Sequence, residues 1–193
     1  MSARSMLGTR VTQLVIAAAL VAGLTACSKT PAQLAIDELN AGLAASAQGQ
    51  TDQAKAHYMA CLSHDSVNQF CIYNLGVIAQ QTGKAAEAEN DYRLALLIDP
   101  NFESAWSNLG ILLAKLGRNE EAISIFRQVI KINPKNAFAH LNLGLLLRAK
   151  GQVVEAQQEL AKALSLDPTI VIPSLKPSPS PTPAAPPSPS SSQ

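Results

Sequence analysis

Apolar side chains along this chain recur at the spacing of a helix face, and the whole pattern returns every 34 residues. Ala105, Trp106, Leu109, Leu112 and Leu113 fall on one face of a first helix, the i, i+3, i+4, i+7 spacing of an amphipathic segment. Gly117 closes that helix as a left-handed C-terminal cap. Glu120 and Glu121 open a second helix, where carboxylates interact favourably with the N-terminal dipole. Ala122, Ile125, Phe126, Val129 and Ile130 carry it on to Asn133-Pro134, where proline stops it. Asp99-Pro100 and Asp167-Pro168 place the same stop in neighbouring blocks. Gly42, Gly76, Gly110 and Gly144 keep the 34-residue step, as do Gly49, Gly83, Gly117 and Gly151, and Ala54, Ala88, Ala122 and Ala156. The reading is four tandem helix–turn–helix units over 35–170, at 35–68, 69–102, 103–136 and 137–170. Gly110 and Ala122 stand where paired helices approach closely, so a larger side chain at either is expected to cost about 1–3 kcal/mol.

The two ends break the pattern. Arg4 and Arg10 precede an apolar run from Val11 to Leu24, which suits the core of a secretory signal and falls short of the roughly 20 residues of a membrane span. The run closes on Leu24-Thr25-Ala26-Cys27, which is similar to the lipobox of bacterial lipoproteins. The resemblance implies a signal peptide at 1–26, cleavage, and diacylation of Cys27 as the new N-terminus, followed by a short linker over 27–34. Acyl chains contribute about 0.8 kcal/mol per buried CH₂, so two or three of them anchor stably. Ser28 stands where an aspartate would resemble an inner-membrane retention signal. In a host with two membranes this favours the periplasmic face of the outer membrane. At the other end, residues 171–193 read as a tail, and 173–193 hold eight prolines and seven serines, a composition that cannot offset the entropy of ordering.

About 140 residues remain between the ends, enough for one domain with a core. The formal net charge of +1, without a basic block and with a single tryptophan, gives no footprint for nucleic acid. No nucleophile elbow, phosphate loop or paired-acid arrangement occurs, so the chain reads as a non-enzyme without a cofactor.

The repeat resembles the tetratricopeptide repeat family. Trp106, Leu109-Gly110, Gly117, Ala122, Phe126 and Pro134 match its pattern in the third unit. Leu75-Gly76, Gly83, Ala88, Tyr92, Ala95 and Pro100 match in the second, and Leu143-Gly144, Gly151, Ala156, Ala163 and Pro168 in the fourth, where His140 and Leu160 depart from it. The first is degenerate: Gly42, Gly49, Ala54 and Tyr58 fit, while Ala41 and Ser66 do not. The resemblance implies an all-α fold, an α-solenoid of four repeats that binds protein segments in a groove lined by the first helices. Groove positions carried over from the family are Phe70, Tyr73, Val77 and Gln81, then Ser104, Ser107, Ile111 and Lys115, then Phe138, Leu141, Leu145 and Arg148. Asn74, Asn108 and Asn142 recur before Leu-Gly and either bond a ligand backbone or bond locally. Lys115 and Arg148 do not reproduce the basic clamp of chaperone-binding relatives. The lining predicts an apolar or amphipathic partner segment, unless residues 169–175 or a second protomer fill it. The family's extra capping helix is not visible after Leu166, and residues 169–175 are expected to fold back over the last helix.

With Cys27 taken by lipid, Cys61 and Cys71 remain as an even pair. In this architecture they end one helix and begin the next, which pack together, so a disulfide or two buried thiols is expected. His57, Cys61 and His64 also share a helix face and Cys71 completes four ligands for zinc, but the same thiols serve the disulfide and no metal is predicted. The functional reading is a membrane-anchored scaffold, an adaptor or assembly factor that binds envelope proteins. The alternative is a self-associating (homodimeric) accessory subunit of an envelope enzyme or transporter.

Overall fold

Among the described residues, 29–172, the computed structural model holds eight α-helices and no strand. They are α1 (Pro31–Ala47), α2 (Thr51–His64), α3 (Gln69–Gln81), α4 (Ala85–Ile98), α5 (Glu103–Lys115), α6 (Asn119–Ile132), α7 (Ala137–Ala149) and α8 (Val153–Leu166). The signal segment 1–26, Cys27 with its proposed lipid, and the tail beyond residue 172 lie outside the described residues. None of the described helices is long and apolar enough to cross a membrane.

The helix ends follow from local chemistry. Thr30, Asn68 and Asn136 accept a backbone N–H with their side-chain oxygens, from Gln33, Cys71 and Ala139, and so begin α1, α3 and α7. At the end of α5, Gly117 takes φ +74°. The Gly117 N–H then reaches Ala114 O at 3.1 Å and the Arg118 N–H reaches Leu113 O at 2.9 Å, a Schellman closure. Gly110, seven residues earlier, is a glycine of a different kind, and Gly42 is its counterpart in the first repeat. At Gly42 an added Cβ would stand 2.5 Å from Cε1 of Tyr58, so this glycine is required by close approach and not by backbone angle.

The chain forms two compact bodies, divided between Pro134 and Lys135. In the first, α1 packs on α2, α3 on α4 and α5 on α6, and each pair packs on the next. Its core repeats one aromatic ring and one small residue per helix pair: Tyr58, Tyr92 and Phe126 are fully buried, as are Ala54, Ala88 and Ala122. Removing a ring of this kind costs about 3–5 kcal/mol. Arg118 ties the second and third repeats, donating to Glu89 Oε2 from Nη1 at 2.6 Å and to Glu121 Oε1 from Nε at 2.6 Å. The second body is the pair α7 and α8, closed over Leu143, Leu147, Leu160 and Ala163.

Cys61 and Cys71 are joined by a disulfide that links the end of α2 to the start of α3. With both thiols consumed, the zinc set considered for His57, Cys61, His64 and Cys71 is not assembled; His57 Nδ1 instead meets Glu38 Oε2 at 2.7 Å. Past α8, Thr169 bonds back to Asp167, Val171 is 84% exposed, and Ile170 and Ile172 are half-buried.

Candidate protein-binding groove

Most of the groove lining expected from the sequence falls in the first body, on α3 and α5. Tyr73 on α3 and Asn108 on α5 meet directly, Asn108 Nδ2 donating to Tyr73 Oη at 2.9 Å. Burial raises the Tyr73 hydroxyl's pKa, and the Asn108 bond acts against that rise. Tyr73 also packs against two rings, Tyr92 at 5.8 Å and Phe102 at 4.9 Å between centroids. Phe70, one helical turn before Tyr73, meets Phe102 edge-on at 5.3 Å and remains 45% exposed. The result is a half-open aromatic surface, apolar in its rings and tied by the Asn108–Tyr73 bond and by the Tyr92 hydroxyl donating to Gln80 Oε1 at 2.9 Å. Contacts of this geometry are worth about 0.5–1.5 kcal/mol per pair beyond area.

Phe102 was not among the residues expected from the sequence. It occupies the place that Asn68 and Asn136 hold in the neighbouring repeats, directly before a first helix. There it makes no side-chain cap for α5, so a capping interaction of about 1 kcal/mol is absent and an aromatic contact stands in its place. The ladder of 34 carried the signal: a ring in a capping column is a local rule broken, and such exceptions concentrate at functional sites.

The three recurring asparagines do different things. Asn74 and Asn142 donate to the carbonyls of Phe70 and Phe138, four residues back on their own helices, at 2.7 and 2.8 Å. Only Asn108 reaches a neighbouring helix. Val77 and Ile111 are half-buried and Lys115 is exposed. Ser46, Asn74, Val77 and Gln81 border a cleft of about 290 Å³ between the end of α1 and α3. In the second body, α7 carries Phe138, 44% exposed, with Leu141, Leu145 and Arg148 half-buried. Among the described residues no group of three or more His, Cys, Asp or Glu is placed to hold a metal ion.

Eight helices in successive pairs, with glycine and alanine at the same register in each, define an all-α solenoid of helix–turn–helix repeats. Three family profiles described as tetratricopeptide repeat match residues 39–68, 73–137 and 113–170. The chain belongs to the tetratricopeptide repeat family. Solved structures agree in fold. MamA from Desulfovibrio magneticus RS-1 is 22% identical, with a TM-score of 0.64 over 70% of this chain and 76% of that one. Pseudomonas aeruginosa pilF is 24% identical, with a TM-score of 0.65 over 72% of this chain and 63% of that one. The first tetratricopeptide domain of Spaghetti (RPAP3), bound to the HSP90 peptide SRMEEVD, is 26% identical, with a TM-score of 0.59 over 62% of this chain and 95% of that one. None of the curated proteins matches the chain. Repeats of this family generally mediate binding to other proteins and are generally non-enzymatic, which defines the chain as a protein-interaction scaffold.

Proposed function

We propose that this scaffold is tethered to a membrane through lipidated Cys27 and captures an apolar or amphipathic segment of an envelope protein along α3 and α5. The observation that carries the binding half is the surface of Phe70, Phe102 and Tyr73, where one repeat has a ring in place of a helix cap. The exposed Phe70 ring beside the half-buried Tyr73 and Phe102 suits apolar side chains presented at intervals by an extended or helical segment. The peptide-bound Spaghetti domain supports the mode of binding, since its fold is shared and its ligand is a peptide. The tether rests on sequence: two arginines, an apolar run, and Leu24-Thr25-Ala26-Cys27. The Cys61–Cys71 disulfide supports an oxidising compartment outside the cytoplasm.

Two measurements test the reading. Growth with radiolabelled palmitate should label the native chain and not Cys27→Ser, and the variant should leave the membrane fraction; an unlabelled native chain overturns the tether. A photo-crosslinking residue placed at Phe70 in the living cell should trap one protein reproducibly, and Tyr73→Ala should abolish the adduct. Crosslinks only to a second copy of this chain would instead support the self-associating subunit. That second reading draws on Leu97, 78% exposed beside the cleft formed by Leu96, Trp106 and Leu109.

A further inference from the structure

The repeat register pairs one position of each first helix with one position of its second helix. In the first repeat these are Glu38 and His57, joined at 2.7 Å. In the fourth they are His140 and Glu159, joined at 2.5 Å, the same pair with its members exchanged. In the third repeat both positions are apolar, Trp106 and Ile125. The second repeat alone is mismatched, with Ile72 at one position and Asp91 at the other. Among the described residues Asp91 makes no hydrogen bond and no ion pair.

Its surroundings make that costly. The Asp91 Cβ lies against α3, where a Cβ added to Gly76 would stand 3.0 Å from it. Burial pushes the carboxyl up to about 6, the Glu87 charge adds to the rise, and Lys55 opposes it. Asp91 opens into a cleft of about 250 Å³ between α2 and α4, with Leu75, Ile78 and Ala79 of α3 and Met59 of α2 among its lining residues. The other charged groups facing this cleft are Lys55 from α2, Glu87 from α4, and Lys84 directly before α4. Lys84 and Glu87 are already paired at 3.4 Å. Lys55 is half-buried and its charge acts on Asp91 through space, without an ion pair.

We propose that this cleft is a second binding site, separate from the aromatic groove, that takes an alkylammonium group: the cation against Asp91 and its aliphatic stem along Leu75, Ile78 and Met59. A lysine side chain of a partner protein and a free primary amine share that chemistry. An ammonium restores to Asp91 the partner that the first and fourth repeats supply internally, and the apolar lining accepts the methylenes that carry it. Lys55 is the internal competitor for the same carboxylate.

Nitrogen-15 NMR titration of the full chain with n-hexylammonium chloride tests the site, with n-hexanol and hexanoate as matched probes. Saturable shifts are expected at Leu75, Ile78 and Asp91, weakened about fivefold or more by Asp91→Asn and again at pH 4.5, where the carboxylate is protonated. Lys55→Gln should tighten binding. Equal binding of hexanol, tighter binding of hexanoate, no shifts at these residues, or an unchanged affinity in Asp91→Asn each overturns the proposal. The peptide acetyl-Leu-Lys-Leu-amide distinguishes the sources. Binding about tenfold tighter than hexylammonium assigns the site to a partner's lysine, and equal binding assigns it to a free amine.

Discussion

Asn108 on α5 donates a 2.9 Å hydrogen bond to the Tyr73 hydroxyl on α3, a polar bond of the aromatic surface that spans two repeats. Tyr73→Phe removes this acceptor from the half-buried Asn108 amide. The expected loss is about 1 kcal/mol of stability in urea titration, with an unchanged slope. A loss below a few tenths would mean that water replaces the hydroxyl at no cost.

Phe102→Asn exchanges the ring for the side chain that caps α3 and α7. The backbone already suits it: φ and ψ are −70° and 86° at Phe102, against −74° and 102° at Asn68. A cap gains about 1 kcal/mol and the lost ring contacts cost about the same, so the melting temperature should barely move. Partner crosslinking from Phe70 should fall sharply. Undiminished crosslinking would remove Phe102 from the binding surface.

Gly42→Ala places a methyl 2.5 Å from the fully buried Tyr58 ring, whose hydroxyl is itself tied to Ser46 at 3.0 Å. The ring has little freedom to retreat, and a loss of about 1–3 kcal/mol is expected by thermal or chemical denaturation. Ala at Gly117 meets no atom within 4 Å and loses stability only through its positive φ. The two substitutions therefore separate crowding from backbone strain.

The Cys61–Cys71 bridge closes a loop with a sequence separation of 10. By the chain-entropy relation its reduction should lower stability by about 2–3 kcal/mol, felt first where α2 meets α3. Peptide mapping without reductant should recover the two cysteines in one linked fragment. Two free thiols in protein isolated from its native compartment would show that the bridge is not formed there.

Asp91 gives a pH dependence whose sign is fixed. Its carboxyl in the folded chain lies at about 6, above the ordinary 3.8, so between those values the folded state binds more protons than the unfolded one. Its contribution to stability is therefore favourable below about pH 4, lost as pH rises through the window, and level above about pH 6. Relative to the native chain, Asp91→Asn should lose this falling slope and be more stable at pH 7. Parallel stability curves for the two proteins would contradict the burial argument.

The Gly42 and Gly49 ladders, the proline stops and the alanine column were legible in the chain because each answers to a local or fixed-distance demand. A left-handed cap needs glycine, a helix cannot run through proline, and a 34-residue step returns each small side chain to the same contact. Those constraints repeat, so the sequence by itself determined the helix pairs and the family they form. The groove positions expected on α3 and α5 came from the family resemblance, not from the register.

What stands opposite what was decided only by the folded chain. Asn74, Asn108 and Asn142 occupy one register position, yet Asn74 and Asn142 bond back along their own helices while Asn108 crosses to Tyr73, whose long side chain brings its hydroxyl within 2.9 Å. Phe102 enters the surface only through the packing that brings its ring against Phe70 and Tyr73. Asp91 reads as one more polar residue on a helix; its lack of a partner and its burial exist only once α2, α3 and α4 enclose it. Local backbone preference fixes helices from sequence, but partners across helices depend on which side chains the packing brings within bonding distance, and that is a property of the tertiary structure alone.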